Sequence, residues 1–436
     1  MDQPVTLDRG LGPWQAASLV VGTIIGTGIF LKTAIMAHTG GSPTWVLVAW
    51  GTAGALSLFG ALTYAELGAM FPQAGGEYVF LRKGYGPFMG YLYAWNRFWI
   101  ATPGSIAAYA VGTTTFLGGV LPIDPNSKLV AIALVVVFTA INCLNVRAGG
   151  WLQTVLTAMK VVMIGGLAFG ALFFARGGNW SRVAVTGEFP GFSAFGLMVL
   201  SALWAYDGWN NLPMAAGEVR DPQRNLPRAI VWGSLAVFAI YALVNLGYFH
   251  ALPFSQIVAK SDASIAQQTA TTFLGGPAQA LLAAAMAISA ISAMNGSMLT
   301  GARVPYAVAV DGLAPRALAK LAPGARVPAT SVVVQGGLAC LYALSGTFDQ
   351  LTDAVVFASW LFYGLNAGTV VLLRMRQPDH PRSFRVPGYP IVPLIFMALA
   401  LLLLVNTIVS APQPSALGLG TTAIGALVYL VWLRNR

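Results

Sequence analysis

The sequence predicts an all-α polytopic membrane protein, and three observations carry that reading. Hydrophobic residues make up 57% of the 436 positions and charged residues only 9%. Apolar runs near 20 residues recur along the whole chain, the length a helix needs to cross the hydrocarbon core. Two of those runs are interrupted half-way by glycine and polar residues, at 22–30 and 205–211.

The first span, 14–34, carries Gly22-Thr23-Ile24-Ile25-Gly26-Thr27-Gly28-Ile29-Phe30. A broken helix in lipid leaves backbone groups unpaired, and each costs several kcal/mol unless something polar meets it. The break offers carbonyls from its first half and amides at the start of its second. A free α-amino acid presents the complementary ammonium and carboxylate. The stretch therefore reads as half of a substrate site, with the amides of Thr27, Gly28 and Ile29 toward a carboxylate. The carbonyls near Thr23 and Ile24 face an ammonium. The competing reading is close helix packing, because Gly22 and Gly26 form a G-x-x-x-G surface.

Further spans are expected at 44–70, 87–117, 128–146, 153–175, 192–215, 229–250, 276–302, 328–346, 351–374, 389–410 and 416–433, twelve in all. The segment 251–275, containing Ser264-Ile265-Ala266-Gln267-Gln268, reads as a short interfacial helix. No stretch reads as a soluble domain, so residues 1–436 form one membrane domain. Span six breaks at Ala205-Tyr206-Asp207-Gly208-Trp209-Asn210-Asn211. Spans one and six correspond if 14–175 and 192–374 are two repeats of five spans, followed by two additional helices over 389–433. Five is odd, so the second repeat is inverted relative to the first. Paired breaks at matching places in two halves point to a transporter site, with the carbonyls near Trp204 and Ala205 joining those of span one.

Orientation follows from Lys and Arg. With the N-terminus inside, 17 of the 24 fall on the inner face, from Arg9 to Arg434 and Arg436, and five fall outside: Lys32, Lys128, Arg176, Arg182 and Lys260. This asymmetry predicts both termini in the cytoplasm. It also explains the net charge of +10 without a nucleic-acid partner. Residues 1–13, which include Asp2, lead into an apolar run too long for a signal peptide, so no cleaved leader is expected. The two cysteines, Cys143 and Cys340, lie within separate spans and offer neither a disulfide framework nor zinc spacing.

Single polar residues inside spans add detail. Asp207 sits at mid-membrane depth, where a charge is costly. It reads either as a structural acid pairing with unwound amides or as a counter-charge that tolerates cationic side chains. Lys160 is the lysine inside a span, about seven residues from the polar start of span five, too deep to snorkel easily. Its ammonium can stand in for a sodium ion, bridging span one to span eight. There Ser289, Ser292 and Asn295, spaced i, i+3 and i+6, offer partners on one face. Arg97 can reach an interface or pair inward, and Glu66 near an inner end reads as structural. Trp204 and Trp360 read as core or belt residues, or as lids over a substrate. His38, His250 and His380 are expected in loops and suggest no metal site. No cofactor is expected; a channel is disfavoured because no polar stripe runs along several spans, and an intramembrane enzyme because Asp207 is the one central acid.

These stretches together resemble the amino acid–polyamine–organocation superfamily, and within it the L-type amino-acid transporter group. The resemblance rests on 22–30, on Tyr64-Ala65-Glu66-Leu67-Gly68, on 204–210, on Asp221-Pro222-Gln223-Arg224-Asn225-Leu226-Pro227-Arg228-Ala229-Ile230, on Asn295-Gly296-Ser297 and on Arg385-Val386-Pro387. It implies a LeuT-type fold of five-plus-five inverted repeats and sodium-independent amino-acid transport, commonly by exchange. A proton-coupled importer of the same fold is the alternative. Lys160 matches the lysine that stands where sodium-coupled relatives bind a cation, and Asn210 and Trp360 match positions near the substrate side chain. The string from Trp204 through Asp207 and Gly208 to Trp209 is similar to that of members taking neutral and cationic substrates. Animal members join a heavy subunit through a cysteine after span three. The loop 117–127 has none, so no disulfide-linked partner is expected. Short termini suggest a prokaryotic inner-membrane protein.

Overall fold

A computed structural model describes residues 7–259, 264–345, 348–410 and 412–433. Asp2, Lys260, Arg434 and Arg436 lie outside the described residues. The described chain is helical, with one isolated bridge between Leu11 and Val219. The first half holds α1 (Pro13–Ile24), α2 (Gly28–Gly40), α3 (Pro43–Met70), α4 (Glu77–Tyr85), α5 (Pro87–Asn96), α6 (Thr102–Leu117), α7 (Lys128–Leu144) and α8 (Val146–Phe173). Next come α9 (Phe192–Ala205), α10 (Asn211–Met214), α11 (Pro222–Ala251), α12 (Phe254–Val258), α13 (Ser264–Leu274), α14 (Ala278–Gly301) and α15 (Arg303–Val310). The chain closes with α16 (Ala329–Ser345), α17 (Phe348–Arg376), α18 (Ile391–Ser410) and α19 (Pro412–Val428).

Among the described residues, six helical stretches are long and apolar enough to cross a membrane: Pro13–Gly40, Pro43–Met70, Val146–Phe173, Pro222–Ala251, Ala278–Val310 and Ile391–Val409. They make the chain a multi-pass membrane protein. The other expected spans fall on shorter or more polar helices. Both predicted interruptions are present. α1 stops where Ile25 turns extended (φ −71°, ψ 90°) and α2 begins three residues later at Gly28. α9 stops at Ala205, and the turn through Gly208 (φ +129°) leads to α10. α1 packs among α8, α11 and α14, while α2 lies against α9.

Several expectations need correction. The fifth span begins at Val146 instead of 153, because the Asn145 side chain caps it by accepting from Ala148 N. Lys160 is therefore near the middle of a 28-residue helix. The third span is not one regular helix: a π-helical turn, Arg97–Ala101, separates α5 from α6. His38 lies in α2 and His250 in α11, so neither is in a loop. His250 is buried with Nδ1 2.9 Å from Ala171 O, a contact that the apolar character of its surroundings makes worth burying.

The Lys- and Arg-rich face is held by ion pairs. Arg303 Nε and Nη2 donate to both oxygens of Glu218 at 2.7 and 2.8 Å, with both side chains buried. Glu66 accepts from Arg374 at 2.9 and 2.6 Å and from the Val386 amide at 2.7 Å. Arg382 Nε lies 3.3 Å from it. Tyr78 and Arg82 both donate to Asp311. Breaking the most buried pair strands a charge, which costs about 3–5 kcal/mol. Arg303→Met should therefore sharply lower the thermal midpoint in detergent, measured by size-exclusion after heating. Adding Glu218→Gln to Arg303→Met should recover part of the loss.

Candidate functional site

The two interruptions meet. Gly28 at the start of α2 abuts Ala205 at the end of α9 so closely that a Cβ on Gly28 would stand 2.8 Å from Ala205 Cα and 2.6 Å from Ala205 Cβ. Reciprocally, a Cβ on Gly208 would stand 2.7–2.8 Å from the backbone of Thr23 and Ile24, and its φ of +129° disfavours any other residue. Each break is thus seated on the backbone of the other. Gly22 and Gly26 have different tasks. A Cβ on Gly22 would strike Gln153 and Thr157 of α8 at 2.3 Å, whereas one on Gly26 would meet nothing nearer than 3.9 Å.

Gly26 faces a cavity with about 60 Å³ open to the centre of a water molecule, room for roughly four to six waters. Its walls include Ile24, Thr27, Gly28, Trp204, Ala205, Asp207, Gly208 and Asn210, all expected site residues. Gly28 and Ile29 open α2, so their amides have no intrahelical acceptor. Three other expected residues stand back from the walls. Thr23 Oγ1 lies 2.6 Å from Leu19 O and 2.9 Å from Gly208 O, so its one proton is shared between its own helix and the other break. Ile29 is wholly buried in the core. Trp360 packs on Tyr363 and Phe396, with ring centroids 5.3 and 6.1 Å away.

Two of the carbonyls expected to face an ammonium, Ile24 O and Ala205 O, already have a partner. Tyr241 Oη of α11 lies 3.2 Å from Ile24 O and 3.1 Å from Ala205 O, its hydroxyl shared between the two broken helices. Tyr241 was not legible as a site residue, because a tyrosine in an apolar run looks like any core aromatic. On the other side of α1, Lys160 Nζ donates to Gly22 O (2.8 Å), Ile25 O (2.5 Å) and Ser289 O (3.0 Å). An ammonium has three donors, and all three are used. Ser289 Oγ lies 3.1 and 3.0 Å from Ile25 O and Gly26 O.

Ser292 and Asn295 do not partner Lys160. Gln153 Nε2 donates to Ser292 Oγ at 3.2 Å, and Asn295 Nδ2 donates to Gln153 Oε1 at 2.9 Å while accepting from Asn142 at 2.9 Å. For Asn295 the reason is distance along the helix: six residues at 1.5 Å each put it about 9 Å, under two turns, from Ser289, where Gln153 and Asn142 meet it.

The far wall is polar. Asp207 Oδ1 accepts from Tyr363 Oη at 2.9 Å, and Asn210 Nδ2 lies 3.0 Å from the same hydroxyl. Arg97, also in the wall, is 7% exposed and donates through Nη2 to Asn211 Oδ1 at 2.7 Å. Three buried polar atoms of wall residues, Thr27 Oγ1, Asn210 Oδ1 and Arg97 Nε, lack a hydrogen-bond partner among the described residues. Leaving such an atom unpaired costs about 1–3 kcal/mol, so the cavity favours a small polar solute over an apolar one.

The family model described as amino acid permease matches residues 11–433. The chain belongs to the amino acid permease family. This permease is 32% identical over 418 residues to the b(0,+)-type amino acid transporter 1 of Mus musculus, covering 93% of this chain and 84% of that protein. It is 31% identical over 427 residues to the serine/threonine exchanger SteT of Bacillus subtilis (strain 168), covering 97% and 96%. It is 28% identical over 438 residues to the large neutral amino acids transporter small subunit 2 of Mus musculus, covering 98% and 81%. These relatives are transporters, not enzymes. Among the described residues of the permease, Cys143 and Cys340 are free thiols.

Gly26→Ala should keep its thermal midpoint yet weaken ligand binding by roughly tenfold, the effect of one methyl group in a fitted pocket. Gly28→Ala should instead cost about 1–3 kcal/mol of stability by overpacking against Ala205. Thermal unfolding and ligand-induced stabilisation, measured on both variants, separate the two roles.

Proposed function

We propose that this permease is a sodium-independent exchanger of L-amino acids that works by alternating access around the two broken helices. The observation that carries the proposal is the cavity between the breaks, whose walls combine helix-start amides with an acid, a guanidinium and unpaired polar atoms. The substrate carboxylate sits on the amides at Thr27, Gly28 and Ile29. The ammonium is drawn to the α1 and α9 carbonyl ends, where it competes with or shares the Tyr241 hydroxyl. Thr23 and Ile29 support these groups from behind, and Trp204 and Trp360 border the side-chain end.

Sodium independence is supported by Lys160, whose ammonium occupies a nest of three carbonyls from α1 and α14. The spot that could coordinate a metal cation already holds a tethered charge. The same reading takes the arrangement as a LeuT-type five-plus-five inverted repeat with both termini cytoplasmic in a prokaryotic inner membrane. Residues 117–127 contain no cysteine, so the chain works without a disulfide-linked heavy subunit. Exchange follows from the energetics of an empty site. Returning without substrate leaves the unpaired polar wall uncompensated, whereas a counter-substrate supplies its partners in both directions.

In proteoliposomes preloaded with a labelled neutral amino acid, efflux should rise at least tenfold on adding external amino acid. It should be unchanged when choline replaces sodium. Equal efflux with and without external amino acid rules out exchange, and uptake driven by a pH gradient alone would point to proton coupling instead.

A further inference from the structure

Arg97 is not among the stretches quoted for the resemblance to transporters, yet it stands in the cavity wall with Asp207. Its position is built, not incidental. It opens the π-helical turn Arg97–Ala101, where the helix takes on an extra residue before Pro103 in α6, and such turns recur at functional sites. The guanidinium is almost wholly buried, is held through Nη2 on Asn211 and keeps Nε without a partner among the described residues. Asp207 is likewise held, by the Tyr363 hydroxyl. Among the described residues the two form no direct ion pair. A further buried carboxylate, Glu77, stands near Arg97 and accepts from the Tyr64 and Tyr93 hydroxyls, but it lies outside the cavity wall. Arg97 and Asp207 are therefore the charges that face the space they share. A second cation stands close by: Lys32 Nζ lies 4.9 Å from the centroid of the Trp204 ring, and Trp204 is another wall.

We propose that Arg97 is the residue that sets side-chain charge selectivity, offsetting Asp207 so that the cavity takes small neutral amino acids and rejects cationic ones. This rests on the amino-acid exchanger reading above and deepens it. Asp207 alone would attract a lysine or arginine side chain. With Arg97 in the same wall, a second guanidinium or ammonium meets a fixed like charge in a low-dielectric space, where repulsion is far stronger than in water. Specificity then comes from a repulsive element as well as an attractive one. A hydroxyl or amide side chain meets no such penalty and can pair with Thr27 Oγ1, Asn210 Oδ1 or Arg97 Nε.

The test is competition against exchange of labelled serine, with labelled leucine run in parallel, in proteoliposomes. For the unaltered protein, unlabelled lysine should compete at least tenfold less well than serine. Arg97→Gln should raise the competition by lysine relative to serine at least tenfold, while Arg97→Lys, which keeps the charge, should preserve the original order. A purely structural Arg97 would lower all rates together and leave the ratio alone. Should Arg97→Gln not fold, Asp207→Asn gives the converse, since an uncompensated Arg97 should raise competition by glutamate at least tenfold. Lysine competing as well as serine in the unaltered protein, or an unchanged ratio in an active Arg97→Gln, overturns the inference while leaving the exchanger intact. An unaltered protein that exchanges neither labelled amino acid overturns the exchanger reading and this inference with it.

Discussion

The structure depends on one constraint: two helices stop in the middle of an apolar body, and every backbone group freed there must find a partner. The solution is mutual and local. Gly28 and Gly208 remove the side chains that would hold the breaks apart, so that α1–α2 and α9–α10 touch backbone to backbone. Thr23 then ties one break to the other through Gly208 O, and Tyr241 spans Ile24 O and Ala205 O. Lys160 and Ser289 take up Gly22 O, Ile25 O and Gly26 O on the remaining side. What is left over is a short run of amides and a polar wall, and these define the cavity.

Stabilisation is distributed unevenly about this centre. Near the cavity it comes from single hydrogen bonds to main-chain carbonyls, each worth little alone but costly to strand. At the Lys- and Arg-rich face it comes from fully formed ion pairs, Arg303 with Glu218 and Arg374 with Glu66. Charge pairs give that face defined positions, while the central groups retain alternatives. Such a division suits a molecule that must change its contacts at the middle without losing its register at one end.

The membrane class and the two interruptions were legible in the sequence because they are written in composition: long apolar runs, and glycine with polar residues where a run should be uniform. That Gly26, Thr27, Gly28, Asp207, Gly208 and Asn210 line the cavity could be anticipated because a break exposes its own residues. The partners could not. Tyr241, Tyr363 and Gln153 sit in otherwise ordinary helices, and nothing in a linear run shows which face of a helix meets a break. The assignment of Ser292 and Asn295 to Lys160 failed for a related reason: a shared helix face says nothing about depth along it. Two of the three histidines expected in loops, His38 and His250, proved helical because isolated polar residues near span ends look like loop, whereas His380 does lie between helices. Arg97 was visible but ambiguous, since its inward path depends on a π-helical turn that periodicity does not reveal.

The Tyr241 hydroxyl has one further consequence. It carries a single proton, yet stands within 3.2 Å of Ile24 O and 3.1 Å of Ala205 O. A rotation about its C–O bond hands that proton from one strut to the other, so the joint between the two halves can part by a fraction of an ångström without stranding the donor. The tyrosine thus keeps its hydroxyl paired with one break or the other, whichever of the two carbonyls its proton faces.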